Sequence, residues 1–323
     1  FIHALSALHA GTGQGVGVID LPIARETATG LPYLPGSSIK GTLRDSPGIQ
    51  GVQLDSGCIR EDEKQVIFGP PTDYASDNAG SAQFADARLL LLPVRSLAGT
   101  FAWVTSPYVL QRFARDAGAT DVGAINTLLD WNAPGQGQAE QCKLAADTKL
   151  KLTDDMVVLE DFDLVADEAP EVANIADTLG EWLFPDENNN GFWRNALKKR
   201  LCVVRDDVLT FLLTTATEVI ARIKLKGDTK TVDTETGALW YEEALPAESI
   251  LYGLVVATPI MSPKVRDFNP VTRTFEKERL FTKTVDDSFI FNELAKCTTP
   301  ALQFGGKATV GRGVCRTVLV KGK

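Results

Sequence analysis

The sequence predicts a mixed α+β fold, on three observations. Several short runs alternate apolar and polar residues with a period of two, the pattern of half-buried strands. Other runs open on Ser-Ser or Ser-Pro and read as capped helices. The two kinds are interspersed without strict βα alternation and without an internal repeat, which disfavours a doubly wound sheet or a solenoid.

Taken in order, residues 1–9 read as a strand that ends in a glycine-rich stretch, LHAGTGQGVGVIDLPIARE (8–26). Residues 20–23 within it are extended. A short helix, IKGTLRD, follows Pro35 and Gly36, with Ser37 or Ser38 as its N-cap, because a hydroxyl there can satisfy an orphan N–H of the first turn. Ser46-Pro47-Gly48 stops that helix, and 46–80 reads as an irregular excursion. Residues 83–94 form a strong strand, with 101–104 as its hairpin partner, and Ser106-Pro107 opens a helix to Ala117. Phe101 and Trp103 share one strand face and read as core, as does Met261.

Further on, the pattern predicts a strand near 156–159 and helices near 171–184 and 206–214. Residues 219–225 alternate cleanly, the polar GDTKTVDTETG follows, and 238–245 returns, so about 219–245 reads as a hairpin with a long tip. Residues 250–260 read as a core strand and 262–287 as charged and irregular. A closing strand pair, 302–304 and 314–320, flanks the second glycine-rich stretch, FGGKATVGRG (304–313).

Composition narrows the function classes. The chain has 323 residues, of which 44% are hydrophobic, a normal share for a globular protein. No apolar run approaches the ~20 residues of a membrane span, and no signal-peptide pattern is visible. The five cysteines are widely spaced without a CxxC pair, so a disulfide framework is not expected and a reducing, cytoplasmic setting is. With two histidines in all, a Cys/His zinc site is not expected either.

Net charge is −9, yet residues 140–187 hold 14 acids against three bases, and the remainder carries a net charge of +2. The acidity therefore belongs to one segment, read as a solvated face, and does not bar a polyanion from docking elsewhere.

Glycine lets backbone N–H groups approach a ligand closely, so both glycine-rich stretches suit phosphate. The second adds Lys307 and Arg312. It is neither a Walker loop, since GxxxxGK[ST] is absent, nor a Rossmann loop, since VCRTVLV after it reads as strand. The first adds His9 and Asp20. A carboxylate there could serve a phosphodiester, or could equally tie down loop N–H groups before Pro22. Lys40 and Arg44 lie four apart on one helix face, near a start whose dipole favours anions. On residues alone, an RNA backbone, a nucleotide and a sugar phosphate all remain eligible ligands.

The stretches LHAGTGQGVGVIDLPIARE, LPYLPGSSIKGTLRD, FADARLLLLPVRSLAGTFAWVTSP, GALWYEEALP and FGGKATVGRGVCR, in that order, resemble the RAMP superfamily of CRISPR proteins. Their order is similar to that of the repeated backbone subunit of type III-B Cmr effectors, over most of the chain. The resemblance implies one domain over 1–323 with a ferredoxin-like (RNA-recognition-motif-like) palm. It also implies an inserted β-hairpin thumb, for which about 219–245 is the candidate, and the acidic stretch at about 140–187 reads as an insertion.

As partners it implies CRISPR RNA, target RNA and further copies of the chain. Other RAMP subunits, a small subunit and a large polymerase-like subunit would complete the effector. It implies cleavage of target RNA at regular intervals, dependent on a divalent ion such as magnesium or manganese. Asp20 matches the family position whose aspartate is needed for cleavage and would be the metal ligand. His9 would assist, and Glu242 and Glu243, read as exposed hairpin acids, would support it. Ser38, Lys40, Arg44, Gly305, Gly306, Lys307, Gly311, Arg312 and Gly313 would grip the guide. A non-cleaving scaffold and the equivalent type III-A subunit are the neighbouring alternatives.

Overall fold

The computed structural model describes residues 1–13, 15, 18–46, 60–118, 141–152, 155–226, 228–229, 231–232, 239–269, 271–298 and 301–321, with 187–190 by backbone alone. The strands of its first half are β1 (Ile2–Ala4), β2 (Tyr33–Leu34), β3 (Ala82–Phe84), β4 (Ala87–Arg95), β5 (Phe101–Thr105), β6 (Gln141–Leu144), β7 (Met156–Leu159) and β8 (Phe162–Glu168). Those of the second half are β9 (Leu201–Val204), β10 (Glu218–Ile223), β11 (Leu239–Ala244), β12 (Ile250–Tyr252), β13 (Val255–Ala257), β14 (Lys264–Asn269), β15 (Thr274–Leu280), β16 (Leu302–Gln303) and β17 (Val314–Thr317). The α-helices are α1 (Gly36–Asp45), α2 (Glu61–Phe68), α3 (Pro107–Asp116), α4 (Pro170–Leu183), α5 (Glu187–Arg200), α6 (Asp206–Thr215) and α7 (Asp287–Cys297).

The α+β expectation holds, and one large mixed sheet organises the fold. Its order is β16-β17-β1-β12-β4-β5-β9-β6-β8-β7, with β2 pairing to β4. The pairs β5–β9 and β6–β8 are parallel and the others antiparallel. Strand β4 is buried from Leu89 through Val94, so it reads as a continuous apolar run and not as an alternation. Its hairpin partner is β5, as expected. Trp103 is fully buried, and its Nε1–H donates to the Glu248 carbonyl at 2.9 Å. Ser106 caps α3, with Pro107 at the first position.

Several expectations need correction. The strand expected over 83–94 breaks at Ala85–Asp86, so β3 leaves the main sheet and pairs with β13. The 250–260 strand splits the same way, into β12 in the main sheet and β13 beside β3. Residues 262–287 are not irregular: β14 and β15 form a second hairpin packed on α2. Met261 is almost fully exposed and is not core.

Neither Ser37 nor Ser38 caps α1, because the helix already begins at Gly36. Its first N–H is satisfied from across the chain by Asp86 Oδ1 at 2.8 Å. The acidic segment supplies β6, β7, β8 and α4, and its Leu144, Leu159, Leu164 and Val172 join the same core cluster as the rest. Most of its described acids lie at exposed positions of those elements, as a solvated face requires.

Candidate nucleic-acid interface

Three segments meet where β1 runs out of the sheet. Leu8 pairs with Leu245, which brings the first glycine-rich stretch against the end of β11. That stretch folds back on itself, with Gly11 bridging Ile23 and the Ala24 N–H donating to the Ala10 carbonyl at 2.7 Å. Its return arm then lies parallel to β11. The Leu21 N–H donates to the Tyr241 carbonyl at 3.1 Å, and the Glu243 N–H to the Leu21 carbonyl at 3.0 Å. The β10–β11 hairpin, paired from Glu218↔Ala244 to Ile223↔Leu239, thus gains a third extended segment at its base. Much of its expected polar tip lies outside the described residues.

Asp20 stands exposed at the start of the return arm. Its Oδ2 accepts the Tyr241 N–H at 2.8 Å, and its carbonyl accepts the Gly15 N–H at 2.9 Å. The carboxylate is therefore oriented by the hairpin backbone.

The two hairpin acids are buried, which corrects the expectation that they are exposed. Glu243 accepts from the Ile23 N–H at 3.0 Å, from Arg25 Nη2 at 2.5 Å and from the Thr217 hydroxyl at 3.0 Å. Glu242 accepts from Trp240 Nε1 at 2.8 Å and pairs with Lys307 at 2.9 Å and Arg222 at 3.3 Å. Burial pushes the Glu242 carboxyl up, but the Trp240 and Lys307 hydrogen bonds and the Lys307 and Arg222 charges outweigh it. The net result is a pKa of about 2. A carboxylate so saturated with donors is a structural anchor and a poor proton acceptor.

Both acids come from this chain's own hairpin, so no neighbouring copy is needed to bring them to the loop. Alternation along GALWYEEALP could have shown their setting: two acids inside an otherwise apolar run require cations, and Arg25, Arg222 and Lys307 are those cations.

His9 is buried between the two glycine-rich stretches. Its Nδ1 lies 2.6 Å from the Glu243 carbonyl, which can only accept, so Nδ1 carries the proton. The ring packs so closely on Gly11 that a Cβ there would sit 2.6 Å from Nε2. A Cβ on Gly305, whose φ is +72°, would sit 2.3 Å from the His9 carbonyl oxygen. This setting suits a positioning role better than a proton donor reaching into solvent.

The second stretch lies beside the first, with the Gly306 N–H donating to the His9 carbonyl at 2.9 Å. Both of its cations, expected to face phosphate, have acidic partners within the chain. Lys307 turns to Glu242, and Arg312 pairs with Glu218 at 3.0 Å. Gly311 and Gly313 both adopt positive φ in the turn that returns the chain to β17.

Ser38 lies inside α1, its N–H donating to the Pro35 carbonyl at 2.9 Å. Lys40 is in the second turn and therefore away from the helix N-terminus, while Arg44 approaches Glu61 of α2. The predicted guide-binding residues thus fall in two places, α1 and the loop from Gly305 to Gly313.

A resident divalent ion does not fit the residues present. Asp20 brings one carboxylate, already bonded to Tyr241, and Glu242 and Glu243 are consumed by cations and N–H donors. Among the described residues no group of three His, Cys, Asp or Glu side chains could hold a metal. Among them, too, no helix is long and apolar enough to cross a membrane.

Comparison with known proteins bears on all of this. The family model for the RAMP superfamily matches residues 1–316. The CRISPR system Cmr endoribonuclease Cmr4 of Pyrococcus furiosus is 33% identical over 320 residues, 98% of this chain and 94% of its own. The CRISPR system CMR subunit Cmr4 of Saccharolobus solfataricus is 25% identical over 333 residues, 97% and 93% of the two chains. A crystal structure of oligomeric Cmr4 from Pyrococcus furiosus superposes with a TM-score of 0.65 at 25% identity, covering 99% of this chain and 97% of that one. A chain of the type III-B Cmr-beta complex bound to cognate target RNA shares the fold, with a TM-score of 0.65 at 20% identity and coverage of 98% and 94%.

Proposed function

The chain belongs to the RAMP superfamily and is a homologue of Cmr4, and on that premise we propose that it is a CRISPR RNA-binding backbone subunit of a type III-B effector that cleaves complementary RNA. The observation that carries the reading is Asp20, an exposed carboxylate held in place by the Tyr241 N–H of the hairpin. The named activity of the relative that is 33% identical along nearly the whole chain supports it.

In this reading β10–β11 is the thumb, and Asp20 sits where the thumb leaves the body. RNA laid along the hairpin base passes the carboxylate. Asp20 accepts a hydrogen bond from a ribose 2′-OH and takes its proton as the 2′-oxygen attacks the neighbouring phosphorus in line. The P–O5′ bond breaks, a 2′,3′-cyclic phosphate forms, and the departing 5′-oxygen takes a proton from water. His9 and Glu243 keep the loop in register and do not touch RNA. The guide is gripped through its backbone, because spacers vary and the protein does not; base pairing reads the target. Among the described residues the protein alone does not build a divalent-ion site. Any magnesium or manganese that cleavage requires would be held mainly by the RNA.

The test is assembly of the chain with its neighbouring effector subunits, a guide RNA and labelled target. The expected result is a ladder of evenly spaced products from complementary RNA, and none from unrelated RNA. Intact complementary RNA in an assembled complex would refute the nuclease reading. Absence of any bound guide would refute the backbone-subunit reading.

A further inference from the structure

The β14–β15 hairpin carries charge and aromatic surface that the proposed site does not use. Its base is fixed to the body. Gln65 exchanges two hydrogen bonds of 2.8 Å with the backbone of Arg266. The Arg266 guanidinium lies 3.8 Å over the Tyr74 ring and donates twice to Asp77, at 3.0 and 2.9 Å.

Each of its acids has a partner. Glu276 accepts from Asn269, and Glu278 pairs with Lys264 and Arg266, all on one side of the ribbon. The other side of β15 carries Phe275, Lys277 and Arg279, the last paired with Asp267 and with Asp62 of α2, and Phe268 pairs across with Phe275, ring centroids 5.1 Å apart. Phe268 is 39% exposed and Val271 at the turn is 89% exposed. Among the described residues no acid pairs with Lys277, nor with Arg273 in the turn.

We infer that this face is a second RNA contact, a stacking platform for single-stranded RNA formed by Phe268 and Phe275 with Arg273 and Lys277 as phosphate partners. The argument is charge complementarity. Two aromatic faces flanked by two cations that no described acid pairs with, Asp267 and Glu278 being matched by Arg279, Lys264 and Arg266 and Glu276 lying on the opposite side, match a chain of bases joined by phosphates. A protein partner would need acids set around two rings, whereas single-stranded RNA supplies anions and stacking faces at every residue. The inference rests on the RNA-binding reading and adds a second place of contact. Among the described residues no hydrogen bond or ion pair joins this hairpin to Asp20 or to β10–β11.

The test uses the full chain and a fluorescein-labelled oligouridine of about 30 nucleotides, long enough for several site sizes, with affinity read by anisotropy across a salt series. The double variant Arg273→Glu, Lys277→Glu is expected to bind roughly tenfold more weakly. Its salt slope should fall by about 1.4, for two phosphates at ~0.7 each. Phe275→Ala should weaken binding at every salt concentration without changing the slope. Lys277→Arg should leave both unchanged, and matched melting curves check that the variants fold. A double variant that binds like the wild type overturns the inference while sparing the proposed function. So does one that keeps RNA binding but loses self-association in light scattering, since the face would then be a protein contact. A wild-type chain that binds no RNA overturns both.

Discussion

At the scale of single residues, Glu243 links the parts of the site that chemistry alone would not join. Its carboxylate holds the Ile23 N–H, Arg25 and Thr217, its N–H holds Leu21, and its carbonyl holds His9. Glu243→Gln keeps the acceptor for Ile23 but leaves the half-buried Arg25 charge with only the Gly30 and Leu213 carbonyls. It is expected to cost about 3 kcal/mol, the low end for a broken buried pair, seen as a lower denaturant midpoint. Target binding should persist while cleavage slows, because the loop bearing Asp20 loosens.

Glu242 and Glu26 make a pH prediction. The Arg112 hydrogen bonds dominate at Glu26, with burial opposing them and Thr29 and Arg88 assisting, and both carboxyls lie at about 2 against an ordinary 4.5. A depressed folded-state value adds stability above the unfolded value, and that stability is lost as pH falls through the folded one. Melting temperature should therefore hold from neutral pH to about 5 and drop between 4.5 and 2. Glu242→Gln should start lower at neutral pH and fall less steeply in acid.

At the scale of elements, the two glycine-rich stretches are one structure and not two. His9 fills the space between them, and Lys307 and Arg312 clamp the second to the base of the β10–β11 hairpin. Lys307→Ala should accordingly lower the melting temperature without any RNA present, by an amount expected of a partly exposed charge-assisted bond, about 1–2 kcal/mol. A purely RNA-facing lysine would leave the melting temperature unchanged. Asp86→Ala should cost about 1 kcal/mol by uncapping α1, measured the same way.

The elements that sequence alone revealed were those whose signal is local. The β4–β5 hairpin, the Ser106 cap and the alternating β10 strand each declare themselves within a dozen residues. What escaped was set by distant partners. The cap of α1 comes from Asp86, fifty positions away, and Lys307 faces Glu242 across the fold. The β14–β15 hairpin hid because its strands bury little beyond Val265, so charge obscured the period of two. Family resemblance singled out Asp20 as a candidate, but not its Tyr241 partner, because a backbone N–H has no signature in side-chain chemistry.

At the scale of the whole molecule, the large sheet and its single core hold two hairpins that leave the body at separate places. The acidic segment is built into that sheet through β6, β7 and β8, which keeps the chain's excess of negative over positive charge away from the β1 end where Asp20 lies. Copies aligned on one guide would each present one Asp20 to the target, so cleavage would recur at the spacing of the copies. The most direct measurement is target cleavage by an assembled effector in which every copy carries Asp20→Asn, with target affinity measured in parallel. Asparagine keeps an oxygen for the Tyr241 N–H and removes only the charge and basicity. The account predicts unchanged target binding and cleavage slowed by about 10²–10⁴-fold, the usual worth of a positioned acid–base group. Cutting at the wild-type rate and at the wild-type positions would contradict it.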